Sequence, residues 1–493
     1  MDFTITNPQV SSTKKLKSEN EMGMSIPDRI SRLPDETLHK ILALLDMKCA
    51  VKTSILSTRW RYLWTYISTL NFNSNVFLES TKRLAKDTTQ FKEFVDQVFI
   101  HNKANSILKF YILYDEKRCL EPPRVYSWIR ALLHRNIQEL DIDISTDASP
   151  FHLPVGLFTC PSLTVLKLKF GYVRVPLQLP CSVSLPSLKT MHLKSVCFVD
   201  ESRTSKLFRN CPVLESLIIM DSGVVMLANL FIYGHKLKDL VIENCCDEVG
   251  GDEPAYCKIQ ICAPNIESFR CKDHMSRVYS IENCSSIVSA GMDMEIEKRF
   301  QFDSESGMEL ELPGKKTKEY AVHVIKSLRA ICNVRELALS PSLIEVVSKQ
   351  PAILERISVQ FLHLRCLMLK TWLSRDCIRA VFYMLKISPL LDTLIIEVTK
   401  KADNSTSIGE YQDTLSPLQC MSQLKFVQIE GVLGCTNELK FLEILLQNAL
   451  VLETLVVLTC EEQLPDKAQR SWTFFDRLQQ FPRASSNIAI FFH

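Results

Sequence analysis

Glycine is scarce in this chain, at 13 of 493 residues. That leaves no room for a Gly-rich loop whose backbone N–H groups cradle phosphates. The run P-G-K-K-T-K at Pro313 imitates one, but Glu309 stands where its first Gly belongs. The hydrolase signatures G-x-S-x-G and H-E-x-x-H are missing, and so is the protein-kinase set. The 10 His are scattered, and none sits beside a Cys or carboxylate grouping that sequence alone would raise to a triad. Charge of one sign is lacking too: a net charge of +2 argues against a dedicated nucleic-acid or anionic-membrane surface. No run approaches the roughly 18 uncharged apolar residues of a membrane helix. The reading is therefore non-enzymatic, with no cofactor, no metal, no nucleic acid and no membrane partner.

What is present is ordinary for a folded chain, with 46% hydrophobic and 23% charged residues. A length of 493 exceeds one compact core, which predicts either several domains or an elongated repeat array. Residues 1–25 are polar and lack an apolar signal-peptide core, so a disordered solvated tail is expected there. Lys14, Lys15 and Lys17 fit that tail better than they fit a nuclear signal. The 18 Cys, with no export signal before them, read as reduced thiols of the cytoplasm and/or nucleus. The glycosylation sequon at Asn404 is then idle.

Self-similarity organises most of the chain. P-S-L-T-V-L-K-L at Pro161 returns as P-S-L-K-T-M-H-L at Pro186 and P-V-L-E-S-L-I-I at Pro212. The shared core, apolar-x-x-apolar-x-apolar, begins at Leu163, Leu188, Leu214, Leu237 and Ile266. Weaker copies begin at Ile107, Ile137, Ile287, Val334, Leu364, Leu391, Leu424 and Leu452. The pattern is that of a leucine-rich repeat, one short strand per unit of about 20–29 residues. Each strand turns two apolar residues inward around an outward one, as in Leu166-Lys167-Leu168. A single unit cannot bury its own apolar face, so units stack into a curved parallel sheet. The segment between strands returns as a helix or an irregular turn; S-K-L-F-R-N-C, stopped by Pro212, suits a short helix. The fold class expected is an α/β solenoid with an uneven arc.

The repeat also accounts for cysteines. Cys160, Cys211 and Cys284 each lie three residues before a first strand anchor, and Cys245 occupies the Asn-or-Cys place of the consensus. A metal site drawn from Cys245, Cys246, Cys257, Cys262, Cys271 and His274 would need paired ligands on tight turns. Only Cys271-x-x-His274 is closely spaced, and Cys271 falls on an inward strand position, so buried thiols are expected.

Upstream of the repeats the chain reads L-P-D-E-T-L-H-K-I-L-A-L-L from Leu33 and L-S-T-R-W-R-Y-L-W from Leu56. Leu38, Ile41, Leu42 and Leu45 form one helical stripe, with Pro34, Asp35 and Glu36 suited to its first turn. A second short helix carries Ala50 and Val51. A third carries Leu56, Trp60, Leu63, Trp64 and Ile67. Three short helices hold more apolar stripe than they can hide among themselves. The surplus either docks on the first repeat as a cap or meets another protein.

The order L-P-D-x-x-L-x-x-I-L…L-S-x-R-W-R-x-L-W resembles the F-box of plant F-box/FBD/leucine-rich-repeat proteins. Two positions depart from it: the family's usual Leu-Pro is Leu45-Asp46, and its Ser-Lys-Arg-Trp is Ser57-Thr58-Arg59-Trp60. The resemblance implies a Skp-type adaptor as partner and, through it, a cullin. The residues assigned to adaptor binding are Leu33, Pro34, Leu38, Ile41, Leu42, Leu45, Val51, Leu56, Trp60, Arg61, Leu63 and Trp64. Near the other end, C-M-S-Q-L-K-F-V-Q-I-E-G-V-L-G and F-P-R-A-S-S-N-I-A-I-F-F are similar to the FBD region of the same family. That region reads as strand, helix, strand, helix, strand.

The resulting division is a tail over 1–25, an F-box over 26–70, the repeat solenoid over 71–410 and an FBD-like cap over 411–493. The function implied is the substrate-recognition subunit of an SCF-type E3 ubiquitin ligase, itself non-catalytic, acting on an unknown protein target. A repeat scaffold or receptor that binds the adaptor without driving ubiquitination is the alternative. A solenoid enzyme or ligand sensor using Asp247, Glu248, Asp252 and Glu253, or Lys315, Lys316 and Lys318, is a third. Target contacts are expected at outward apolar strand positions, chiefly Ile218, Val241, Met368 and Ile395.

Overall fold

A computed structural model describes residues 30, 32–78, 87–114, 120–145, 152–171, 174–224, 227–244, 257–296, 314–350, 359–399, 421–460 and 467–493. The polar tail, the acidic insert at 247–253, the sequon, Cys245, Cys246 and the side chains of Lys315 and Lys316 lie outside the described residues.

Among the described residues, fifteen parallel strands form one sheet, and their spatial order is their order in the chain. Every strand thus pairs only with the units before and after it, which is the solenoid expected from the repeat. Each of the repeat copies yields a strand, from Lys109–Tyr114 through Val165–Phe170 and Cys366–Thr371 to Thr454–Thr459. Apolar residues stack in register on the inward side. One ladder runs Leu140, Leu166, Met191, Leu217, Leu240 and Phe269 across consecutive strands. All six are buried, at 2% exposure or less. Two strands extend the array. Ala489–Phe492 closes it, as the FBD-like reading expects, and Thr69–Asn73 opens it. The opening strand repeats the same motif at Ile67, Leu70 and Phe72, a copy that the sequence reading passed over as helix.

Between the strands the structure departs from expectation in the middle of the array. Instead of helices, short strands form two further three-stranded parallel sheets. One joins Val175–Pro176, Val196–Phe198 and Gly223–Val224; the other joins Asn229–Tyr233, Lys258–Cys262 and Tyr279–Glu282. Other units carry helices, such as Pro122–Leu133, Arg375–Lys386 and Thr436–Asn448. The short helix expected before Pro212 spans Glu201–Arg209, capped by Asp200 accepting from the Arg203 N–H at 2.9 Å.

Strand exits share a device. Ser195, Asp221 and Asn244 each follow a strand directly and hold left-handed backbones at φ 55°, 50° and 50°. Their N–H groups donate to Met220, Glu243 and Lys272 of the next strand. The Asn244 amide also donates to Asp221 at 3.0 Å. This short polar stair replaces a strict asparagine ladder. The thiols follow the repeat as expected: Cys160, Cys211, Cys271 and Cys284 are buried. Burial pushes the Cys211 thiol up to about 12 and raises Cys271 as well.

The N-terminal unit comprises the helices Asp35–Leu42 and Met47–Lys52, followed by 3-10 turns at Thr53–Ile55 and Trp60–Tyr66. The third helix expected from Leu56 to Ile67 is therefore a tighter coil starting at Trp60. It must deliver the chain into the strand Thr69–Asn73, and Ile67 is already extended at ψ 139°. The FBD-like segment continues the same sheet, since Phe426–Val432 pairs with Thr393–Val398.

Candidate adaptor-docking face

The helical unit has a core of its own that runs into the solenoid. Leu38 and Leu42 of the first helix, Met47 and Ala50 of the second, and Trp60 and Leu63 of the 3-10 coil are all buried. They form one cluster with Leu70, Phe72 and Phe110 of the first two strands. Backbone bonds stitch the join. The Lys103 N–H donates to Thr65 O at 2.6 Å, and the Asn102 amide donates to Ile67 O at 3.0 Å. Lys48 donates to Phe77 O, with its ammonium 4.5 Å from the Phe77 ring centre. Within the unit, Arg59 reaches back to the first helix, pairing with Asp35 at 2.6 Å and donating to Leu33 O at 2.5 Å. The second departure from the family pattern, Thr58-Arg59, thus retains the arginine that closes the box.

This geometry answers why two tryptophans lie one turn apart, and it corrects the assignment of anchors. Trp60 is 5% exposed and Leu63 is 6%, while Leu38 and Leu42 are fully enclosed. These four face the interior, where their stripe is satisfied without a partner. Leu33, Leu45, Val51 and Trp64 are partly buried against the same core. Trp64 packs toward the solenoid, its ring centre 6.4 Å from His101. Of the residues assigned to the adaptor, Pro34, Ile41, Leu56 and Arg61 are exposed.

The exposed apolar side chains are mostly ones the periodicity skipped. Leu44 is 85% exposed, Ile55 87%, Leu56 64%, Tyr62 61%, Tyr66 51% and Ile41 39%. Leu44 lies off the Leu38/Ile41/Leu42/Leu45 stripe, and Ile55 precedes the Leu56/Trp60 stripe. A stripe marks the side a helix buries against its own chain. Apolar residues off the stripe are the signal for a surface that another chain covers.

On the solenoid, the expected outward positions divide. Ile218, Met368 and Ile395 are half-buried on the open sheet face. Val241 is corrected: it is 6% exposed, between Ile218 and Arg270 in register. The apolar band is also not continuous, since Arg270, Gly291 and Ala338 separate Ile218 from Met368 in register. Among the described residues no group of three His, Cys, Asp or Glu side chains is placed to hold a metal ion.

Three family models match this chain. The F-box domain matches residues 30–70, directly on the helical unit. The LRR repeats of FBD-associated F-box protein At5g56370 match 125–283, and FBD matches 412–457. The chain thus carries segments similar to an F-box, to leucine-rich repeats and to an FBD, in that order. Similar proteins bear some or all of these names. F-box/LRR-repeat protein 13 of Arabidopsis thaliana is 29% identical, covering 88% of this chain and 90% of its own. F-box/FBD/LRR-repeat protein At1g78750 of the same plant is 27% identical, covering 93% and 95%. FBD-associated F-box protein At4g10400, also from Arabidopsis thaliana, is 35% identical over a shorter stretch, 53% of this chain and 60% of its own. The fold class read from sequence, F-box then repeats then FBD, stands.

Proposed function

We propose that this protein is the substrate-recognition subunit of an SCF-type E3 ubiquitin ligase. Its F-box takes a Skp-type adaptor, and through it a cullin. Its solenoid holds a protein target, in the cytoplasm and/or nucleus. The chain supplies no reacting group. It raises the effective concentration of target near the ubiquitin-charged enzyme, and proximity alone accounts for its contribution.

The observation that carries this reading is the group of exposed apolar side chains within Ile41–Tyr66, on a box whose own core is already closed. Leaving Leu44, Ile55 and Leu56 in water forgoes about 1.5–3 kcal/mol each of burial, before association costs. A partner that covers them recovers it. Pro34, Ile41 and Arg61 are exposed in the same unit, while Leu33, Leu45, Val51 and Trp64 are partly buried against its core. The test is co-purification with a Skp-type adaptor. Leu44→Asp with Ile55→Asp should abolish it while leaving the melting temperature within a few degrees. Undiminished adaptor capture by that double variant removes the reading.

A further inference from the structure

The middle of the open sheet face carries a feature that the repeat pattern does not require. Across four neighbouring strands, the central outward positions are Arg270, Gly291, Ala338 and Met368, paired in register. Strands lie about 4.8 Å apart, so Arg270 and Met368 stand roughly 14 Å from one another with a hydrogen and a methyl between them. A Cβ built on Gly291 would meet its nearest neighbours at ordinary van der Waals distances, the Arg270 Cγ at 3.4 Å, its Cδ at 4.0 Å and the Ala338 Cβ at 4.0 Å. The result is a notch with a small-residue floor, a guanidinium wall and an apolar wall. Ile395 continues the apolar wall on the following strand.

Arg270 is exposed, and among the described residues it has no ion pair or hydrogen bond. Its register neighbour on the other side is the buried Val241. The nearest anionic row is otherwise engaged. Asp293 is in register with Lys272 and acts on Lys370, which itself pairs with Glu397 at 2.8 Å. A guanidinium left without a counter-charge beside an apolar wall offers a planar fork matched to a carboxylate. Asp293 and Glu336, each two residues along the same strands from the notch floor, oppose a doubly charged phosphate more than a single carboxylate.

On the reading that this face captures the target, we propose that the notch takes an extended target segment crossing the strands, with a carboxylate side chain on Arg270. An apolar side chain two residues further on would fill the space over Gly291 and Ala338, against Met368. An extended chain advances about 6.7 Å over two residues, which matches the distance from Arg270 to the middle of the notch.

The test pans a displayed library of random peptides, about 12 residues long, against the full chain bound to its adaptor. The wild type should enrich peptides with Asp or Glu two positions from Leu, Ile, Met or Phe. Gly291→Val fills the notch at a strand position where its added Cβ meets only ordinary contacts. It should weaken the selected peptide by tenfold or more. Arg270→Glu should do the same and reverse the acidic preference, and both variants should keep adaptor binding. Enrichment of no such pattern, or selected peptides bound equally by both variants, overturns the proposal. Failure of the wild type to bind the adaptor would instead overturn the ligase reading, and panning against the full chain alone would then decide the peptide proposal.

Discussion

Asp46 joins two parts of the protein with one side chain. One oxygen accepts the Lys48 N–H at 2.8 Å, capping the second F-box helix, and the other accepts the Asn73 N–H at 3.1 Å, at the end of the first strand. Its place is where the family's usual proline is missing, and at φ −61° its backbone is one that proline would share. Burial pushes the Asp46 carboxyl above the usual carboxylate range, with the backbone donors opposing the shift. Asp46→Ala removes a cap worth about 1 kcal/mol, together with the tie to the first strand. The urea midpoint should fall measurably, and Asp46→Asn should restore most of it. A midpoint unchanged in Asp46→Ala would refute the joint role.

Trp60 and Leu63 fill the interior of the F-box rather than its surface. Trp60→Ala should cost about 3–5 kcal/mol of stability, the range for emptying a buried aromatic site. Adaptor binding should then be lost through unfolding of the box, seen as new proteolytic cleavage within residues 32–66. A variant that keeps its protease resistance yet loses the adaptor would return Trp60 to the contact face.

His192 predicts a specific acid sensitivity. Burial, then the Lys169 ammonium, lowers its pKa from 6.5 to about 4, and Lys167 and Lys194 act in the same direction while Asp141 opposes them. The folded state therefore favours neutral imidazole. The stability tied to it is complete above pH 6.5 and is lost as pH falls toward about 4. Urea unfolding at several pH values in that window should show a shallower loss for His192→Gln than for the wild type. Equal slopes would show that the histidine is not the cause.

Arg277 and Asp273 form an enclosed ion pair at 2.8 Å, with side chains 3% and 0% exposed. The Tyr279 hydroxyl donates to Asp273 at 2.7 Å, and Arg277 donates to Cys257 O at 3.2 Å. Burial raises the Asp273 carboxyl, and Arg277 is the main influence opposing that rise. Arg277→Leu leaves the carboxylate enclosed without its partner and should cost about 3–5 kcal/mol. Adding Asp273→Leu should recover about half of that, because the isolated charge is then gone. A double variant no more stable than the single one would mean that the pair matters through its hydrogen bonds alone.

The solenoid was written locally, and so was legible. Leu166-Lys167-Leu168 states by alternation which side chains go inward, and a recurring copy of the same phrase places the next strand beside it. The same logic assigned Cys271 to the interior, and the box order L-P-D…R-W-R-x-L-W placed the F-box. Periodicity could not say which of several apolar surfaces finds cover. Trp60 and Leu56 share one stripe, yet one is buried in the core while the other stands in water. Val241 occupies an outward position and is nonetheless buried, while Ile218, its register neighbour on the adjoining unit, is half-buried. The notch over Gly291 exists only because four separate units align in register. Alternation along the chain is fixed by backbone geometry, whereas burial depends on neighbours that only the folded chain brings together.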